Sequence, residues 1–69
     1  MKLSARNVLR GTVVDIVTGA VTSHVSIDIG GSVVTASVTN AAVEELGLTI
    51  GKPAAAVIKA SDVMVGVDD

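Results

Sequence analysis

A two-residue period runs from Ala20 to Ile29. Val21, Val25, Ile27 and Ile29 fall on one side of it, and Thr22, His24, Ser26 and Asp28 on the other. Side chains of a strand alternate between faces, so this pattern predicts a half-buried β-strand. Gly30-Gly31 follows, and glycine reaches positive φ without penalty, which suits a two-residue hairpin turn. Beyond it Val34, Ala36 and Val38 alternate with Val33, Thr35, Ser37 and Thr39. An antiparallel hairpin is thus the unit around which the rest of the chain must fold.

Upstream, Asn7 to Val17 is rich in β-branched residues, with Val13, Val14, Ile16 and Val17 on both faces. A strand apolar on both sides expects cover on both sides, and another subunit is one way to supply it. Thr18-Gly19 ends the strand. Asn40 to Gly47 reads as one short helix, with Asn40 as N-cap and Gly47 as the left-handed residue past its end. Val43 and Leu46, three apart, share a face. Gly51-Lys52 makes a turn, and Ala54–Ala60 and Val63–Val67 are two further strands joined near Ser61-Asp62. Strand, strand, strand, helix, strand, strand is the order of the OB-type barrel. The connections are too short for βαβ crossovers. The expected fold is mainly all-β: a five-stranded, OB-like antiparallel barrel, residues 1–69 forming one domain.

A chain of 69 residues buries only about 60% of its unfolded surface, and small domains compensate with disulfides, a metal or oligomerisation. Cys is 0 and His is 1, which excludes disulfides and argues against a structural zinc site. The hydrophobic fraction is 49% with 0% aromatic, so small aliphatic side chains supply the core. Such a chain is expected to bury some of its apolar surface against copies of itself. The net charge is −2 and the pI about 5.0. That balance, with no aromatic ring to stack on bases, speaks against nucleic-acid binding. Met1 to Arg6 lacks the apolar stretch of a signal peptide, and no apolar run approaches the ~20 residues of a membrane span. A cytoplasmic protein without membrane partners is expected.

Catalysis finds little support. Only His24 is available as a base, on the polar face of a strand, and no cysteine exists to act as nucleophile. Glu44 and Glu45 are adjacent on a helix and point apart. Gly30-Gly31 reads as a hairpin turn rather than a phosphate cradle, because no helix follows it. Met64 reads as core packing. Two segments carry more chemistry. Ser4-Ala5-Arg6-Asn7 sets a hydroxyl, a guanidinium and an amide just before the first strand, and Lys59-Ala60-Ser61 sets an ammonium and a hydroxyl at the end of the fourth. A fully deprotonated tetrahedral dianion only accepts hydrogen bonds, so its ideal site has charged donors, hydroxyls and backbone N–H groups and no carboxylate. Such a site rejects singly protonated phosphate, whose O–H finds no acceptor.

At these residues the sequence resembles the molbindin family, the small cytoplasmic molybdenum–pterin-binding (Mop) proteins. The matching stretches are Ser4-Ala5-Arg6-Asn7, Gly11-x-Val13-Val14, Gly19-x-Val21-Thr22, Val43-Glu44-Glu45-Leu46-Gly47-Leu48, Gly51 and Ile58-Lys59-Ala60-Ser61-x-Val63-Met64. They cover nearly the whole chain in register. The resemblance implies a homohexamer, a trimer of dimers, holding molybdate or tungstate between subunits. Ser4, Ala5, Arg6 and Asn7 of one subunit, with Lys59, Ala60 and Ser61 of a neighbour, would form the main oxyanion site. A second kind of site would lie at Gly19, Val21, Thr22, Ser23 and His24, where His24 as a cation at lower pH would add a charged donor.

The expected function is therefore binding, storage and buffering of molybdate or tungstate by a non-enzymatic protein, with no direct cation ligands. A molybdate-sensing or interaction module of a transport or regulatory system is the alternative, disfavoured by the absence of a second domain in the chain. A single-stranded nucleic-acid binder on the same barrel comes third.

Overall fold

The alternating segment and its glycines form the expected hairpin. In the computed structural model, which describes residues 2–68, β2 (Thr22–Asp28) and β3 (Val33–Thr39) pair antiparallel from Thr22↔Thr39 to Asp28↔Val33. The Ile29 N–H donates to the Ser32 carbonyl at 2.9 Å and closes a two-residue loop. Gly30 and Gly31 both take positive φ, 101° and 96°, a region that side-chain-bearing residues avoid. Asp28 Oδ1 accepts from both glycine N–H groups, at 2.9 and 3.2 Å. Val25 and Ile27 are buried, and Val34 and Val38 pack against them from β3.

β1 (Asn7–Thr18) serves two neighbours in turn. Its first half pairs with β4 (Pro53–Ile58), from Asn7↔Ile58 to Thr12↔Pro53. Its second half pairs with β2, from Thr12↔Asp28 to Thr18↔Ser23, with a bulge at Val14. A bulge adds twist and bends its strand, which lets one strand leave β4 and join β2. The resulting sheet has the order β3-β2-β1-β4, and Val13, Val25, Ile27 and Ala56 form the buried core. Helix α1 (Asn40–Leu46) lies between the third and fourth strands and sends Val43 to that core, while Leu48 packs beside it from beyond the helix end. This is the OB-like arrangement expected, with one strand fewer.

Val63–Val67, expected as the fifth strand, is not in the sheet. After β4 the chain makes a 3-10 turn at Ala60–Asp62 and runs on without strand pairing, so β4 also ends at Ile58 rather than Ala60. β3 and β4 are left as open edges, and a groove of about 590 Å3 lies between them, lined by Val25, Ile27, Val34, Val38, Ala56 and Ile58. Met64, expected in the core, is 94% exposed, and Val65 is 91% exposed. The outer face of β1 is open as well: Val8, Val14 and Val17 lack the second cover that an apolar strand expects.

Three local details differ from expectation. Thr39, not Asn40, is the N-cap: its φ of −68° and ψ of 151° are extended, and its Oγ1 accepts from the Ala42 N–H at 3.0 Å. The hydroxyl lies one residue closer to the hairpin than the amide and reaches the orphan donor first, which frees Asn40. Val21, placed on the apolar face by its period, is 71% exposed because the strand begins one residue later and Val21 belongs to the turn. Leu46 also stays exposed at the groove's rim, although Val43 packs inward. Gly47 takes the left-handed conformation (φ 62°, ψ 38°) as expected, its N–H bonding back to the helix, and Gly51 turns at φ 93°.

Candidate functional site

The β1–β4 ladder decides where the two donor-bearing segments go. Asn7 is the Cα partner of Ile58 at one end of the ladder, and its Nδ2 donates to the Ile58 carbonyl at 3.2 Å. In an antiparallel pair the residues before Asn7 and those after Ile58 leave the same end side by side. Ser4-Ala5-Arg6 and Lys59-Ala60-Ser61 therefore leave the same end of the ladder and border one rim of the chain. Ser4, Arg6, Lys59, Ala60 and Ser61 are exposed there, and Ala5 and Asn7 are half-buried. Arg6 Nη1 donates to the Ser4 carbonyl at 3.3 Å, which folds the guanidinium back over its own segment.

The 3-10 turn shapes the other half of the rim. Lys59 is extended, with φ −65° and ψ 136°, and the Asp62 N–H closes the turn onto its carbonyl at 2.9 Å. The N–H groups of Ala60 and Ser61 have no acceptor among the described residues. The rim thus offers a guanidinium, an ammonium, two hydroxyls, an amide and free backbone donors. One carboxylate, Asp62, follows Ser61 directly in the turn.

The second candidate region lies at the far end of β1, up to roughly 35 Å away for a twelve-residue strand at ~3.3 Å per residue. One small ion cannot bridge the two. Here the Gly19 N–H donates to the Thr22 carbonyl at 2.8 Å, and a Cβ on Gly19 would meet that same oxygen at 2.7 Å. Glycine is required by this close approach. Gly19, Val21, Thr22 and His24 are exposed, His24 lying opposite Ser37 and Val17. Ser23 is 1% exposed, and its Oγ donates to Asn40 Oδ1. Its hydroxyl is committed inside the protein.

A hollow of about 250 Å3 lies beside this turn, with Thr18, Ser23, Asn40, Glu44 and Thr49 in its wall. Among the described residues no group of three or more His, Asp or Glu side chains is placed to hold a metal cation, and no helix is long and apolar enough to cross a membrane. The Ser23–Asn40 contact was not anticipated from sequence. Its signal was present all the same: Ser23 is the one polar residue on the apolar side of the alternating segment.

Comparison with known proteins bears on this geometry. Residues 3–65 match the TOBE domain family. A probable molybdenum-pterin-binding protein of Haemophilus influenzae is 56% identical, over 99% of this chain and 100% of that one. A molybdate binding protein of Sporomusa ovata superposes with a TM-score of 0.92 at 36% identity, covering 97% of this chain and 100% of that chain. The cytoplasmic molybdate-binding protein ModG, in a form with molybdate bound, superposes with a TM-score of 0.93 at 52% identity. That match covers 99% of this chain and 49% of ModG.

Proposed function

The chain belongs to the TOBE domain family, and within it to the molbindins, and from that premise we propose that it binds molybdate as a cytoplasmic storage and buffering protein. The observation that carries the proposal is the Asn7↔Ile58 pairing, which gathers the Ser4–Asn7 and Lys59–Ser61 segments on one rim. Charged donors are the strongest partners for an oxyanion, and Arg6 and Lys59 supply them there. Ser4 and Ser61 add hydroxyls, Asn7 its amide, and Ala5 and Ala60 backbone N–H groups. Release is by equilibrium, and the protein performs no chemistry on the ion. Tungstate, with the same charge and shape, binds the same rim.

The protein works as a homo-oligomer, a hexamer of three dimers. Two features of the single chain support this. The groove between β3 and β4 lacks a cover, and Val63–Val67 leaves its side chains open. Burying such a side chain contributes roughly 1.5–3 kcal/mol, so copies that cover one another gain what one chain cannot. Rims from neighbouring copies meeting at a seam complete the shell around the ion, and the ion then stabilises the assembly by mass action.

Isothermal titration of molybdate into the wild type, Arg6→Ala and Lys59→Ala tests the proposal. Each substitution removes a charged donor worth about 1.5–3 kcal/mol, so each weakens the main site roughly tenfold to a hundredfold. Unchanged affinity in both variants would remove the rim from consideration.

A further inference from the structure

One side chain on the rim runs against the chemistry of the rest. A site for a tetrahedral dianion is strongest with donors alone, yet Asp62 ends the same 3-10 turn that carries the Ala60 and Ser61 N–H groups. Its own N–H donates to the Lys59 carbonyl at 2.9 Å, and the Val63 N–H donates to the Ala60 carbonyl at 3.3 Å. These two bonds tie residues 59–63 into one turn, so Asp62 cannot leave the rim without unmaking it.

The carboxylate itself is uncommitted. Asp62 is exposed, and among the described residues its carboxylate accepts no hydrogen bond. Asp28, by contrast, gives one carboxylate oxygen to the Gly30 and Gly31 N–H groups. A carboxylate that neither caps nor pairs is not what holds its turn together, and its charge acts on whatever binds beside it. Neighbouring Cα atoms lie about 3.8 Å apart, and an N–H···O bond spans about 2.9 Å. With the length of an aspartate side chain, this sets the carboxylate roughly 7 Å from an ion held by the Ser61 N–H. That is too far for contact and near enough for like charges to repel.

We infer that Asp62 limits the affinity of the main site, repelling the bound dianion from just outside its ring of donors. A buffering protein must let its ion go as well as take it up. One fixed negative charge beside the site loosens the ion without removing any donor. This role rests on the reading that the Ser4–Asn7 and Lys59–Ser61 segments hold molybdate. Two charges facing one across roughly 7 Å of water amount to about a sevenfold change in affinity. Salt screens this to roughly twofold or threefold at about 0.15 M, and leaves about fivefold at about 0.01 M.

Isothermal titration of molybdate at those two salt concentrations tests the role. Asp62→Asn binds more tightly than the wild type by those factors, and the gap widens at low salt. Asp62→Glu, which keeps the charge, shows no such gain. Asp62→Ser, a second neutral replacement, gains as Asp62→Asn does and decides the matter if the amide variant does not fold. Asp15→Asn controls for net charge: Asp15 belongs to the half of β1 that pairs with β2, some 25 Å from Asn7 by strand rise, and its removal changes little. Neutral variants that bind no more tightly than the wild type overturn the inference, as does an equal gain in Asp62→Glu or Asp15→Asn. A wild type that takes up no molybdate, or whose affinity survives both Arg6→Ala and Lys59→Ala, fails the binding reading instead.

Discussion

Gly11→Ala is the substitution whose cost the structure specifies most closely. Gly11 stands where β1 passes from β4 to β2, one residue before the position that pairs with both strands. A Cβ there would lie 2.0 Å from the Asp28 carbonyl oxygen, 2.8 Å from its carbon and 3.1 Å from Ile27 Cγ2. Carbon and oxygen approach no closer than about 3.3 Å across neighbouring strands, so relief needs a separation of more than an ångström. The obstacle is main chain and cannot rotate aside. Overpacking costs about 1–3 kcal/mol, sometimes more, and the rigid obstacle puts this case near 3 kcal/mol. With a urea m-value of about 1–3 kcal/mol per molar, the midpoint falls by roughly 1–3 M. The assay is urea unfolding followed by circular dichroism at one protein concentration, because oligomers make stability depend on concentration. A Gly11→Ala midpoint equal to that of the wild type would refute the close crossing of β1 and β2.

Asp28→Ala removes the acceptor of the Gly30 and Gly31 N–H groups and costs about 1 kcal/mol, a fall of roughly 4–8 °C in Tm readable by calorimetry. Val65→Asp costs a lone chain little, because Val65 is almost fully exposed, but it lowers the oligomer mass seen by native mass spectrometry. An unchanged mass would exclude the C-terminal segment from self-association. In competition titrations near neutral pH, singly protonated phosphate displaces molybdate poorly, since the donor-rich rim gives its O–H little to bond. Equal competition would point to Asp62 as an acceptor within the shell.

What the sequence made legible follows from period and glycine. The hairpin, the Gly47 terminus and the β-rich order are local facts, written in alternation and in positive-φ positions. The rim was legible as residue types, and its assembly was not. That depended on the Asn7↔Ile58 register, a pairing across 51 positions that no local pattern encodes. Val63–Val67 has the composition of a strand, but composition cannot say whether a partner edge exists in the same chain. Thr39 and Asn40 are both good caps, and only the hairpin's exit direction decides between them. Ser23, a polar residue on an apolar face, was the visible trace of a network whose other member lies across the fold.

Everything said of binding depends on the Ser4–Asn7 and Lys59–Ser61 segments holding the ion together. Anomalous diffraction at the molybdenum edge, on crystals saturated with molybdate, tests it most directly. A strong peak is expected at the rim, placed so that the ion's oxygens lie within hydrogen-bond distance of Arg6 or Lys59 and of the Ala60 or Ser61 N–H, and repeated at each rim of the assembly. Bound molybdenum found only elsewhere, with those rims empty, would contradict it.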